Sequence, residues 1–315
     1  MRYISHVISM HSSAPLLHPL SDFTTAYGDA AALVLEACTK PMPKLAAVVA
    51  YYPPYMPKTG TGFPTSLDVL IHLASAQRFG TRLPSFRYLD TKAGFAEYDL
   101  EEFDKVGATL AWSRTLGHLR KAFGMEVDLE TIWDHHTMLE FAEKDADKTM
   151  ATMVPEPYVN HIPTITGGIG HQELRRFYAD FFIPGNPPDF KIKLLSRTVG
   201  TDRVVDEMLC TFTHTTEVPW MLPGIPPTDK KVEVVLVSVV CIRGGFLYHE
   251  HIHWDQATVL VQVGLIDPRL IPKTFKTAEE GREEEVQRLP VFGREAAQKV
   301  VDEDSVKSNQ LLPDW

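Results

Sequence analysis

Lys231–Arg243 reads KVEVVLVSVVCIR and, after Gly244-Gly245, Phe246–Val263 reads FLYHEHIHWDQATVLVQV. Both runs are rich in β-branched residues and alternate, so the glycine pair predicts a hairpin of two long strands. Upstream, Phe190–Thr198 and Arg203–Thr213 have the same character, with a turn at Gly200-Thr201-Asp202. Before them come two helical patterns. Thr137–Met150 gathers Met138, Phe141 and Ala142 on one side, and His171–Phe182 spaces Leu174, Phe177, Tyr178 and Phe181 at helical intervals before Pro184 and Pro187-Pro188 stop it. Helices first and consecutive hairpins afterwards predict an α+β domain over residues 126–270, a curved antiparallel sheet wrapped over helices.

The richest chemistry falls in the last strand. His249, His251 and His253 lie at i, i+2 and i+4, so they share one face with Asp255, opposite Tyr248, Glu250, Ile252 and Trp254. Three readings stay open for the histidine face: solvated exterior, wall of a pocket, or metal site. Tyr158, Asn160 and His161 sit in Pro157–Pro163, expected as a loop between helices at a pocket mouth. His214 alternates with Phe212 in TFTHTT and is a further pocket candidate. Trp220 lies in the Pro219–Pro227 loop, either a lid or a surface loop with apolar anchors. His135 and His136 are expected to cap a helix or face solvent. Asp206-Glu207 is either a buried acid or half of an ion pair with Arg197 or Arg203.

Residues 130–266 resemble the nuclear transport factor 2-like (NTF2-like) superfamily and, within it, the SnoaL-type polyketide cyclases. Glu250-His251-Ile252-His253-Trp254-Asp255, followed by Val261-Gln262-Val263-Gly264-Leu265, is similar to the family's closing E-H-W-D … L-x-Q-L-G motif, with two residues inserted. His251 and His253 both compete for the family's histidine slot. The resemblance implies an NTF2-like cone that moves a proton beside a carbonyl without metal or cofactor. It implies Asp255 as acid/base, with His251 or His253 orienting it; the pocket candidates His161, Tyr158, His214 and Trp220 are then expected to position a polyketide-like small-molecule substrate. The products would be cyclised, isomerised or dehydrated compounds. A pocket that only folds a reactive polyene is the variant reading, and a plain binding or dimerisation module the non-catalytic one.

The first 125 residues read as an α/β piece. Leu45–Tyr52 is a continuous apolar run of the buried parallel-strand kind, Asp29–Cys38 is an alanine-rich helix, and Asp99–Phe123 is a helix stopped by Gly124. Tyr3–Met10 and Val69–Leu73 are short strand candidates. Ala47–Pro53, Gly94–Glu97 with Tyr98-Asp99, and Ala111–Leu116 resemble the dienelactone hydrolase family, an α/β-hydrolase whose nucleophile sits on a glycine-flanked elbow. No G-x-[SC]-x-G occurs. The nucleophile slot falls near Thr25, flanked by Phe23 and Tyr27, and the histidine slot is Ala93. The segment is expected to be a partial, inactive α/β-hydrolase-like scaffold, with His11 and His72 its only histidine substitutes. A lactone hydrolase is the alternative function this resemblance offers.

Composition supplies the outer limits. With 44% hydrophobic and 23% charged residues in 315, the chain has enough apolar material for two cores. A net charge of −10 argues against a nucleic-acid partner. No apolar run nears the ~20 residues of a membrane helix. Met1–His6 lacks a signal-peptide pattern. Cys38, Cys210 and Cys241 are scattered, as expected of a reducing, cytoplasmic setting. Residues 271–315 are expected as a charged tail running away from the core, with Glu279–Glu285 its most acidic run, a short helix at Arg294–Asp302, and Leu289-Pro290-Val291 or Trp315 as anchors. The apolar alternation of Val232–Val240 is expected to pair two copies into a homodimer.

Overall fold

A computed structural model describes residues 7–11, 22–58, 62–80, 83–270, 275–276, 283–284 and 288–312. The start of Tyr3–Met10, the His11 side chain, most of Glu279–Glu285 and Trp315 lie outside them. The chain divides into two compact units, residues 1–127 and 128–315.

The first unit is a five-stranded sheet in the order β1 (Val7–His11), β2 (Asp22–Tyr27), β3 (Leu45–Tyr51), β4 (Asp68–Leu73), β5 (Ser85–Arg87). β1 is antiparallel to β2, and the other pairs are parallel. β3 is apolar throughout because both its faces are covered. Val48 and Ala50 pack with α1 (Gly28–Ala37), while Val49 and Tyr51 pack with Phe95 and Ala111, the latter on α2 (Lys105–Phe123). Asp104 caps α2 at one end and Gly124, at φ +60°, closes it at the other.

The sharp turn from β2 into α1 falls at Gly28, with φ +55°. That is where a nucleophile elbow would place its reactive side chain, and glycine has none. Thr25 is buried within β2 instead. His72 is fully buried, with Nδ1 2.8 Å from Tyr88 Oη and Nε2 2.8 Å from Thr115 Oγ1, which is itself 2.8 Å from Tyr51 Oη. Burial and the nearby Arg114 charge push its pKa down to about 3. His72 is thus a neutral ring locked among hydroxyls.

The second unit carries a six-stranded sheet in the order β7 (Thr166–Ile169), β6 (Met153–His161), β11 (Phe246–Trp254), β10 (Lys231–Arg243), β9 (Arg203–Thr213), β8 (Lys191–Val199). Only the β6–β11 pair is parallel. Against its inner face lie α3 (Leu129–Met138), α4 (Ala146–Ala151) and α5 (Gly170–Phe177), whose apolar residues share one core with the sheet. This is the α+β architecture expected. α3 and α5 each run on into a π-helical turn, Leu139–Glu143 and Tyr178–Phe182. β10 and β11 join through Gly244 and Gly245, both at positive φ, the requirement of a tight hairpin turn.

Three expected elements differ. Tyr158, Asn160 and His161 belong to strand β6, not a loop. The last strand stops at Trp254, and Gln256–Gln262 is a helix, α6, because the Asp255 carboxylate accepts from the amides of Ala257 and Thr258 and caps it. The tail also returns: α7 (Arg294–Val301) packs on β10, with Ala297 buried and Arg294 paired to Glu233.

Candidate active site

The phase of β11 decides what lines the site. Leu247 is buried, and simple alternation from it would turn His249, His251 and His253 inward. The register shifts instead: Cys241 faces His249 and Ile242 faces Leu247, leaving Tyr248 as an extra, bulged residue. One inserted residue exchanges the faces of everything after it. Glu250, Ile252 and Trp254 therefore point into the core, paired with Val240, Ser238 and Leu236 of β10.

Of the three readings open for the histidine face, the structure shows the outer one, and the pocket role that the resemblance implied for His251, His253 and Asp255 is corrected. His251 and His253 flank outward-facing Val239 and Val237. His249 and His251 stack on each other at 4.8 Å, and Tyr158 meets His251 edge-on at 5.4 Å, on that outer side. Asp255 is exposed at the head of α6, its Oδ2 2.7 Å from Thr258 Oγ1. None of these lines the cone. His214 is buried away from it, closing the β9–β10 connection through Thr228 and Lys230.

His161 and Trp220 do reach the cavity, which encloses about 620 Å³. His161 Nδ1 faces the Thr166 carbonyl at 3.2 Å, so that nitrogen carries the proton. Burial pushes its pKa down to about 4, leaving a neutral ring boxed by Phe177, Phe182, Trp220 and Trp254. Trp220 donates from Nε1 to Asn186 at 2.9 Å, and its carbonyl accepts from the Thr164 and Thr166 hydroxyls. With Val218, Met221 and Leu222 fully buried beside it, the Pro219–Pro227 loop is anchored wall.

The polar floor is one that sequence reasoning missed. Glu140 from the first π-turn, Tyr178 from the second and Glu250 from β11 all line the cavity. Behind them His136 is completely buried, with Nε2 3.0 Å from Glu140 Oε1 and 3.3 Å from Glu250 Oε1. The Glu140 contact has hydrogen-bond geometry, and Glu250 Oε1 has no hydrogen bond. His136 Nδ1 lies 2.5 Å from Thr152 Oγ1, whose own proton goes to the Thr149 carbonyl. Thr152 therefore accepts from Nδ1–H.

The charges follow from this packing. Burial opposes the imidazolium, but Glu140 and Glu250 outweigh it and hold the His136 pKa up to about 10. Trp133 stacks on the ring at 5.6 Å. Burial pushes Glu250 above the usual glutamate range, against the pull of His136. Burial and both carboxylates keep Tyr178 a neutral phenol. Among the described residues, His136, Glu140 and Glu250 are also the group whose ligand atoms could hold a divalent cation, lying within 4.8 Å of one another. Ser238 Oγ, on the same inner face, is buried without a partner. Asp206 is fully engaged, taking Trp133 Nε1 at 2.7 Å and both arms of Arg197, so it is wall.

A helical i, i+4 spacing links His136 to Glu140, and Glu250 sits in phase with Ile252 and Trp254. These were the available signals, a carboxylate among apolar strand positions above all.

Residues 135–250 match the SnoaL-like domain family. That span holds all the floor residues. No curated protein matches the chain. Among solved structures, TsrD from Streptomyces laurentii is 18% identical over 45% of this chain and 100% of its own, with a TM-score of 0.37. A protein described as a SnoaL-like polyketide cyclase from Jannaschia sp. CCS1 is 18% identical, over 45% of this chain and 99% of its own, with a TM-score of 0.35. An NTF2-like protein of unknown function from Burkholderia pseudomallei is 16% identical, over 44% and 99%, with a TM-score of 0.34.

Proposed function

We propose that the second unit is a small-molecule enzyme of SnoaL type, and that Glu250 moves a proton at a carbon beside a carbonyl. The observation that carries this is the Glu250 carboxylate, 3% exposed, on the lining of a largely apolar cavity and backed by His136 3.3 Å from its Oε1. A volume of about 620 Å³ is ample for a ligand of several fused or linked rings. Trp133, Phe141, Phe182, Phe190 and Trp220 supply flat surface for a polyketide-like or polyene compound.

In this reading Glu250 takes the proton as a carboxylate and returns one as an acid. Burial raises it toward the working range of an acid/base. Ser238, two residues along β10 from Val240, the partner of Glu250, and Tyr178 provide hydroxyl donors for the oxygen that gains charge. His136 fixes the carboxylates from behind. Cyclisation, isomerisation and dehydration all use this step.

The test is deuterium wash-in from D2O into a bicyclic aryl ketone such as 2-tetralone, followed by mass spectrometry. Glu250→Gln should slow it by roughly 10²–10⁴ while the ketone's Kd stays within threefold. Unchanged wash-in in Glu250→Gln would leave a cavity that acts by shape alone. The half-buried outward valines Val235, Val237 and Val239 support the pairing of two copies. Light scattering at micromolar chain concentration tests that part.

A further inference from the structure

His161 has one ring nitrogen in use and one to spare. Its Nδ1–H goes to the Thr166 carbonyl at 3.2 Å and the ring is neutral, so Nε2 carries a lone pair and can only accept. Among the described residues nothing donates to it. The donors nearby are spent: the Thr164 and Thr166 hydroxyls go to the Trp220 carbonyl, and Trp220 Nε1 goes to Asn186. His161 is 4% exposed and lines the cavity, so the small opening left to the ring is onto that cavity. A buried acceptor of this kind costs stability until a ligand supplies the donor.

The sheet register places that nitrogen relative to the rest of the site. His161 of β6 pairs with Ile252 of β11, and Ile252 pairs with Ser238 of β10, so His161 and Ser238 stand in one row, two strands apart. That spacing is about 10 Å at the backbone. Glu250 lies two residues along β11 from Ile252, on the same face. The row therefore offers a lone pair at one end and a buried hydroxyl without a partner at the other, with a carboxylate beside its middle. Phe182 and Trp220 set their rings 5.7 and 5.1 Å from the imidazole, which leaves a flat approach to it.

Resting on the acid–base reading above for the ketone end, we propose that the substrate is a hydroxyaryl ketone whose ring hydroxyl donates to His161 Nε2. Its carbonyl, at the opposite end of the molecule, accepts from Ser238, and its acidic carbon meets Glu250. A ring hydroxyl meets both demands of the His161 end, because it lies in the plane of its ring and it donates. A carbonyl or ether oxygen brought to Nε2 would set lone pair against lone pair. His161 thus selects for the hydroxyl and decides which end of the molecule is turned toward Glu250.

The experiment titrates the full-length protein calorimetrically with 6-hydroxy-2-tetralone, 6-methoxy-2-tetralone and 2-tetralone. The hydroxy ketone should bind about tenfold tighter than either of the others. In His161→Phe, which keeps a ring and loses the lone pair, the preference for the hydroxy ketone over 2-tetralone should shrink to within threefold. His161→Gln, whose amide can donate to Thr166 and accept from the ligand, should restore it. Wild-type protein labelled with 15N-histidine gives a reading that needs no variant: the unprotonated Nε2 resonance should move upfield with the hydroxy ketone and stay in place with 2-tetralone. Equal wild-type affinity for the two ketones, a full preference in folded His161→Phe, or an Nε2 resonance that saturating hydroxy ketone leaves unmoved would each overturn the proposal. If the wild-type protein gives no ketone wash-in, the acid–base reading fails, and the affinities still decide the hydroxyl site.

Discussion

Thr258 Oγ1 donates to Asp255 Oδ2 over 2.7 Å, and the other carboxylate oxygen takes the amides of Ala257 and Thr258 at 2.9 and 3.3 Å. The carboxylate is spent on the first turn of α6. Asp255→Ala should therefore lower stability by about 1 kcal/mol, the usual worth of such a cap. Urea unfolding checks this, and ketone wash-in should stay at the wild-type rate. A hundredfold loss of wash-in in a folded Asp255→Ala protein would return the chemistry to the outer face.

Ser238 makes the opposite prediction. Its hydroxyl is buried and unsatisfied, so Ser238→Ala should leave stability unchanged or raise it by up to about 1 kcal/mol. The same change should weaken an oxygen-bearing ligand about tenfold, read by calorimetric titration with 2-tetralone. Its affinity for naphthalene, which has no oxygen to bond, should not move.

Acid should loosen both units through their neutral histidines. His161 and His72 are held below the unfolded value of about 6.5, at about 4 and about 3. Their stabilisation is complete above pH 6.5 and is lost as pH falls toward those values, because only the unfolded chain gains the proton. His136 has the reverse sign: it is raised, so its contribution is whole below pH 6.5 and fades above it as pH climbs toward about 10. Between pH 6.5 and 5 the first effect acts alone, and each neutral ring should cost about 1.5 kcal/mol. Thermal unfolding at the two pH values measures this, and His161→Gln should shrink the drop.

In the first unit, Thr115 ties Tyr51 to His72 through one hydroxyl. Thr115→Val leaves both partners buried without it and should destabilise the chain by about 1–3 kcal/mol in urea. Lactone hydrolysis assayed alongside should be no different in Thr115→Val and wild type. A matching loss of hydrolysis would make His72 and Thr115 a reacting pair.

The fold was legible where pattern is local. β10 announced itself through alternation, β3 through unbroken apolarity, and α2 through its stripe and Gly124. The site was not, because it depends on counts that no periodicity carries. A bulge at Tyr248 reverses the strand, and π-turns at Leu139–Glu143 and Tyr178–Phe182 widen two helices where Glu140 and Tyr178 turn inward. His136 looked like a surface cap because its partners come from Glu250 and Thr152, more than 100 and 16 residues away. The His161 and Trp220 expectations reached the cavity since both are large rings flanked by buried apolar residues.

The bulge at Tyr248 gives β11 two complete linings, an acidic aromatic one facing the interior and an imidazole one on its back. Arithmetic, not side-chain chemistry, selects between them: drawing Tyr248 into the ladder as an ordinary strand residue would present His249, His251 and His253 to the interior, whereas deleting it would regularise the strand and leave Glu250 where it is. The barrier to that exchange is the fate of Ile252 and Trp254, which would be stranded in water. The identity of the cavity floor thus hangs on whether one residue is counted by the neighbouring strand or skipped by it.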